Sequence, residues 1–439
     1  MGKKLSISKK LAKRKYAPPM RLISWIYKFI MVDIIGRKYK PKFHIIDDVN
    51  DCKGPCFVIF NHLSRIDHVY VCGATYPRRT NMIAACSEFY RSKFSFVFGL
   101  SKIIPKKNYS PDKLTIMATS KVIKAGGCVT FAPEGLASND GGNKPIVPGT
   151  SKMFKHFKVP VYLCYLEGQY LQNTKVCLDE RIGETHATMS LLFSPEDIDR
   201  LSVEEMDDII NEKFRRNEYE WNKEKQNKRD AKGRICHRLD ELCYKCPKCG
   251  KEFTLKGEGN QIVCTNCGNG ATMDDYYQFH PFEGSIIPST PHAWYEQIRM
   301  DLIKEIRANP DYFFEDECQI GNLDEYKLCT KNRTSFIVGE GKIRVDHQGM
   351  HYKGTRHGEP YEFSVGWDKL YTLITEVDTS FFNFYLNGEY FDVIPKHKTV
   401  SKFLLLVEEM HRYHVNFYKN FKWCDYMYEG LELGIDLKK

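Results

Sequence analysis

At 439 residues the chain exceeds one ordinary hydrophobic core, so two to four modules are expected, and 42% hydrophobic against 28% charged residues excludes wholesale disorder. The net charge of +9 is concentrated: residues 1–40 hold twelve Lys or Arg against Asp33 alone, which leaves the other 399 residues near −2. That distribution argues against a generally nucleic-acid-binding body and for one basic end that meets an anionic surface, a membrane leaflet first and RNA second.

Sixteen cysteines are mostly scattered, with four in two CxxC pairs, which fits a bound metal and a reducing compartment better than a disulfide framework. The basic N-terminus lacks the nearby apolar run and small-residue cleavage site of a secretory signal. The expected location is cytoplasmic, peripheral on the cytosolic face of a membrane.

Residues 1–19 form a basic tail ending in Pro18-Pro19, and MGKKLS fits the N-myristoylation pattern at Gly2. The segment 20–36, MRLISWIYKFIMVDIIG, is apolar around most of a helix, with Arg21, Ser24 and Lys28 on one stripe. At ~1.5 Å per residue it is too short for a ~30 Å hydrocarbon core, so the expectation is an interfacial helix. Residues 37–232 alternate strand-like runs (CFVIF 56–60, NMIAAC 81–86, GCVTFA 127–132, VPVYLCYL 159–166) with helix-like segments such as 110–125, which predicts an α/β domain with a mostly parallel sheet. The charged stretch 203–232 reads as a solvated terminal helix and linker.

CPKCG at 246–250 and CTNCG at 264–268 bracket a hairpin-like interval within a module spanning 236–280. Each CxxCG knuckle turns two thiolates toward one ion, so Cys246, Cys249, Cys264 and Cys267 predict a closed, structural zinc ribbon with no open coordination position. Cys236, His237 and Cys243 are neighbours outside that set. A connecting helix is predicted over 290–310, from Thr290 as N-cap and Pro291 at the first helical position. Residues 320–420 read as a β-rich module closed by one helix, 398–415, an order found in pleckstrin-homology-like barrels.

The stretch FVIFNHLSRIDHVY, 57–70, places His62 five residues before Asp67. On one helix the two would point about 140° apart. They meet if His62 lies on the loop after the strand and Asp67 in the first turn of the next helix; Asp67 then fixes the imidazole tautomer and His62 can deprotonate an alcohol. The spacing alone is weak evidence.

NHLSRID is followed by FGLSKIIPKKN (98–108), TFAPEGLAS (130–138) and VPVYLCYLEG (159–168). In this order and spacing the four blocks resemble the glycerolphosphate and lysophospholipid acyltransferase family over roughly residues 36–230. The resemblance implies transfer of a fatty acyl group from acyl-CoA or acyl-carrier protein to a hydroxyl of a lysophosphatidate-like or glycerol-phosphate acceptor, in phospholipid synthesis at a membrane. It implies His62 as general base, Asp67 as its orienter, Asn61 and Ser64 as supports of the loop, and Glu134 and Gly135 in the loop that seats the acceptor, with backbone donors near the dyad for the oxyanion. Leu136 and Ala137 stand where many members have Thr-Arg, and Lys106 and Lys107 stand where an Arg usually meets phosphate. The rival reading is a non-catalytic binding or regulatory protein, for nucleic acid or protein, on a degenerate acyltransferase scaffold bearing the zinc ribbon.

Overall fold

The computed structural model describes residues 5–110, 112–330 and 334–415. Gly2, and the end of the module predicted to reach residue 420, lie outside the described residues. Helices α1 (Ile7–Lys13) and α2 (Arg21–Lys28) lead into a wider π-type turn, Phe29–Ile35, so the apolar stretch 20–36 is helical but not one uniform helix.

The first sheet has seven strands: β1 (Pro41–Ile45), β2 (Cys56–Phe60), β3 (Thr80–Ala85), β4 (Ile104–Lys106), β5 (Cys128–Phe131), β6 (Val161–Glu167) and β7 (Thr185–Phe193). They lie in the order β1-β7-β6-β2-β5-β3-β4, and every neighbouring pair is parallel except β6 with β7. Strand β2, CFVIF, is buried at every position, as a central strand covered on both faces must be. The crossovers are α3 (Asp67–Thr75), α4 (Ser92–Leu100), α5 (Lys113–Lys124) and α6 (Ser151–Phe157), with the short α7 (Gln169–Gln172) following β6. Asp112 starts α5 by accepting from the amides of Leu114 and Thr115.

The segment 203–232 departs from its expectation. After α8 (Pro195–Arg200) it folds into two helices, α9 (Val203–Phe214) and α10 (Glu218–Lys225), and its central charges are interior. Ser202 and Glu205 form a reciprocal capping box at the start of α9. Arg216 pairs with the fully buried Glu218, and Arg229 is buried against the Glu184 carbonyl and the Asn222 side chain. Charge marks an exposed face only when the opposite charge is not waiting inside.

The second sheet is the antiparallel β8 (Leu255–Glu258), β9 (Gln261–Cys264), β10 (Gly270–Met273) and β11 (Phe279–Pro281). Helix α11 (Pro291–Ala308) is capped by Thr290, whose hydroxyl accepts from the Ala293 amide. It is more than a connector, because Trp294, Ile298, Arg299, Leu302 and Ile306 are all buried.

The third sheet is antiparallel throughout: β12 (Phe313–Asn322), β13 (Phe336–Asp346), β14 (Gly349–Arg356), β15 (Glu359–Val365), β16 (Ile374–Thr375), β17 (Phe382–Leu386) and β18 (Glu389–Pro395), in the order β15-β14-β13-β12-β18-β17-β16. Helix α12 (Val400–Val415) packs across it through Phe403, Leu404 and Val407. The module therefore begins at residue 313, ahead of the predicted 320. One contiguous buried cluster joins Val58 and Tyr70 of the first sheet to Leu255 and Ile262 of the second and Ile343, Phe391 and Leu405 of the third module.

Candidate active site and metal centre

In an α/β sheet the loops leaving the carboxyl ends of parallel strands converge, and here the loops after β2, β5 and β6 do so. Asn61, the first residue beyond β2, extends the β2–β6 pairing with its side chain: Nδ2 donates to the Leu166 carbonyl (2.9 Å) and Oδ1 accepts from the Leu166 amide (2.7 Å). His62 follows, with its side chain 31% exposed. Asp67 is the first residue of α3 and is buried.

His62 Nδ1 lies 2.8 Å from Asp67 Oδ2. The same carboxylate accepts from the Leu63 amide (2.7 Å), the Ser64 amide (3.0 Å) and the Ser64 hydroxyl (2.7 Å). With Asp67 acting as acceptor to every one of these donors, Nδ1 is the imidazole nitrogen that donates to it and carries the ring proton. The lone pair then sits on Nε2, which no described residue hydrogen-bonds.

Glu134 and Gly135 lie beside this loop. Glu134 Oε2 accepts the His62 amide at 2.5 Å and Oε1 accepts the Lys144 amide at 3.1 Å, while the His62 carbonyl accepts from the Ser138 amide at 2.9 Å. The backbone of His62 is thus held on both sides by residues 134–138. Burial pushes the Glu134 carboxyl up to about 8, against the His62 and Lys144 amides, which favour the carboxylate. Gly135 has φ of +73°, and an added Cβ would press on the Tyr109 ring at 3.3 Å, so this turn requires glycine. Glu134 is buried and braces the loop through both carboxyl oxygens.

Lys106 Nζ donates to the Ser110 carbonyl of its own loop (3.1 Å). Lys107 Nζ donates to the Gly388 carbonyl at the turn between β17 and β18 (3.1 Å) and lies over the Tyr385 ring. Neither is bonded to the His62–Asp67 loop. Sequence reasoning missed Tyr109, whose hydroxyl donates to the Glu134 carbonyl (2.9 Å), and also Lys144 and Ser138. Lys144 and Ser138 reach Glu134 and His62 through their main-chain amides, a contact that leaves no side-chain signature; Tyr109 follows the second block directly and was visible there.

Residues 31–167 match the protein-family model described as Acyltransferase. The matched segment holds His62, Asp67 and Glu134. Among solved structures the chain is similar to the 1-acyl-sn-glycerophosphate (LPA) acyltransferase PlsC from Thermotoga maritima, at 14% identity and a TM-score of 0.35, over 44% of this chain and 91% of that one. It is also similar to the RAN binding domain of the nuclear pore complex component NUP2 from Ashbya gossypii, at 16% identity and a TM-score of 0.16, over 22% of this chain and 88% of that one. No match is found among curated proteins.

Beyond the matched segment, the sulfurs of Cys246, Cys249, Cys264 and Cys267 lie within 4.8 Å of one another and can hold one metal ion. Cys246 to Cys267 is 3.7 Å and Cys249 to Cys264 is 3.8 Å. Those separations match the edge of a sulfur tetrahedron, roughly 3.8 Å for metal–sulfur bonds of about 2.3 Å. Burial raises the Cys264 thiol, but the Thr254 hydroxyl and the Asn266 and Cys267 amides outweigh it and bring it down to about 6. Gly250 and Gly268 both adopt φ of +71°, the turn each knuckle needs.

Proposed function

We propose that the chain is a peripheral membrane O-acyltransferase that moves a fatty acyl group from acyl-CoA or acyl-carrier protein to the hydroxyl of a lysophosphatidate-like or glycerol-phosphate acceptor. The observation that carries this reading is the His62–Asp67 bond, on a strand-end loop that leaves Nε2 as an unengaged base. Nε2 takes the proton of the acceptor hydroxyl as its oxygen attacks the thioester carbonyl. Collapse of the tetrahedral adduct breaks the carbon–sulfur bond, and the departing thiolate recovers the proton from the imidazolium.

The amides of residues 62, 63, 64 and 66 are already committed to Glu134, Asp67 and the Ser64 hydroxyl. The amides of Leu136 and Ala137, which engage no described residue and flank the Ser138 anchor to His62, are our candidates for the oxyanion. Lys106, which bonds only the Ser110 carbonyl of its own loop and keeps further N–H donors, is the second-block cation assigned to an acceptor phosphate, whereas Lys107 is tied to the C-terminal module. We assign zinc to the four-cysteine site, as a structural ion.

Membrane contact is assigned to α2 and the π-type turn, where Leu22, Trp25, Ile26, Phe29, Ile30 and Ile34 are exposed and the Trp25 and Phe29 rings stack at 5.6 Å. Helix α4 adds exposed Phe94, Phe96 and Val97. No described helix is long and apolar enough to cross a bilayer. The purified protein should cosediment with vesicles containing anionic lipid, and Trp25→Glu with Phe29→Glu should weaken that binding by about 10-fold or more. Unchanged cosedimentation would remove this face from the proposal.

The decisive assay offers lysolipids and glycerol-3-phosphate against acyl-CoA and acyl-carrier protein, with products identified by mass spectrometry. A new ester on a phosphate-bearing acceptor is the expected product. Salt-sensitive RNA or DNA binding with no ester formed would favour the binding-protein alternative.

A further inference from the structure

We infer that the C-terminal β-module is a working part of the catalytic centre: Glu408 of α12, through Lys144, and Tyr371, through Tyr109, are positioning residues that fix Glu134 and hence the backbone of His62. The inference rests on the acyl-transfer reading for its catalytic consequence, but its structural content stands apart from it.

Two chains of contact run from the module and end on the same residue. In the first, Lys144 Nζ pairs with Glu408 Oε1 at 2.7 Å in a largely dry interface. Glu408 is fixed in turn by the Thr372 hydroxyl (2.8 Å) and by Arg299 of α11 (2.9 Å). The main chain of the same Lys144 donates to Glu134 Oε1, and the other oxygen of Glu134 receives the His62 amide. In the second, the Tyr371 ring meets the Tyr109 ring edge to face at 5.2 Å, and the Tyr109 hydroxyl donates to the Glu134 carbonyl. A third clip, from the Thr375 hydroxyl to Asn139 Oδ1 (2.9 Å), holds the loop five residues beyond Glu134.

The arrangement has an energetic logic. Glu134 is buried and its carboxyl is held by only two amide donors, so whatever sets the place of the Lys144 amide sets the carboxylate and the His62 amide beneath it. A buried ion pair fixes register well and is costly to break from one side. A shift of about 1 Å in His62 would be enough to degrade proton transfer by ~100-fold. The same helix α12 carries a second buried pair, Lys402 with Glu252 at 2.5 Å, which reaches the metal-binding module and not the catalytic loop. It therefore serves as an internal control.

The test uses the full-length protein and the variants Glu408→Gln, Lys144→Met, Tyr371→Leu and Lys402→Met. Amide exchange over residues 61–64, read by mass spectrometry, should quicken by ~10-fold or more in the first three and stay at the wild-type rate in Lys402→Met. In the acyl-transfer assay kcat should fall by about 10-fold or more in the first three, with KM within ~2-fold, and the double variant Lys144→Met/Glu408→Gln should be no worse than its single parents. Wild-type exchange and kcat in Glu408→Gln and Tyr371→Leu would overturn the inference, as would an equal loss in Lys402→Met. If exchange responds as expected but the wild-type protein forms no ester with any acceptor, the acyl-transfer reading fails and the coupling stands.

Discussion

Replacing His62 with Ala should lower acyl transfer by at least ~1,000-fold while leaving the melting temperature and the metal content where they are in the wild type. The clean separation follows from the local bonding. The His62 side chain spends one hydrogen bond on the protein, to Asp67, whereas Asp67 keeps the Leu63 and Ser64 amides and the Ser64 hydroxyl when the imidazole is gone. The loop therefore survives the loss of its base. Asp67→Asn is the less selective experiment, because an amide nitrogen would face backbone donors that now meet a carboxylate oxygen, so both geometry and tautomer would be lost. Ester formation at the wild-type rate in His62→Ala would end the proposed mechanism.

Removing the metal should have the second large effect, on stability. The purified chain should carry one zinc, and either a strong chelator or Cys264→Ser should lower its melting temperature by on the order of 10 °C or more. Structural zinc sites supply roughly 10–16 kcal/mol in isolated finger peptides, and even part of that is large for a chain of this size. Leu255, Ile262 and Cys264 belong to the same buried cluster as the catalytic domain, so the loss should not stay within the hairpins. With four thiolates on the ion there is no site for substrate. Turnover per folded molecule should therefore be unchanged below the new melting temperature. A melting curve indifferent to metal removal would show that the four sulfurs do not hold a structural ion.

The contact between His62 and Asp67 was legible because it is local. His62 and Asp67 meet through a strand end and a helix start, both marked by the abrupt end of CFVIF and by the short polar stretch that follows. The four-cysteine cluster was legible for the same reason, since each knuckle is a five-residue unit and the hairpin between them needs only the turn at Gly259 and Asn260. Strand β12 was hidden because FFEDECQIGN looks like a loop. Its period of two appears only once Asp316 is seen to be buried, accepting from the Thr399 hydroxyl and bonded to the His397 ring. LYTLITEV, 370–377, has the aromatic and β-branched composition of a strand, yet only Ile374–Thr375 pair as one, because Leu370 and Leu373 are buried and Tyr371 and Glu376 reach Tyr109 and Arg91. Arg216, Glu218 and Arg229 were misread because a list of charges does not say which of them have met inside.

The interior shared by the three sheets bears on how this chain can be taken apart. A border drawn from composition, at residue 233 or 311, follows a change of texture along the sequence but not a seam in the folded body. Cutting there would bare a face of Tyr170, Leu171, Tyr277 and Trp294 that has no water-compatible alternative partner. Excised pieces would thus be poor stand-ins for the whole, and an inactive fragment of the catalytic domain would say more about its exposed flank than about its chemistry.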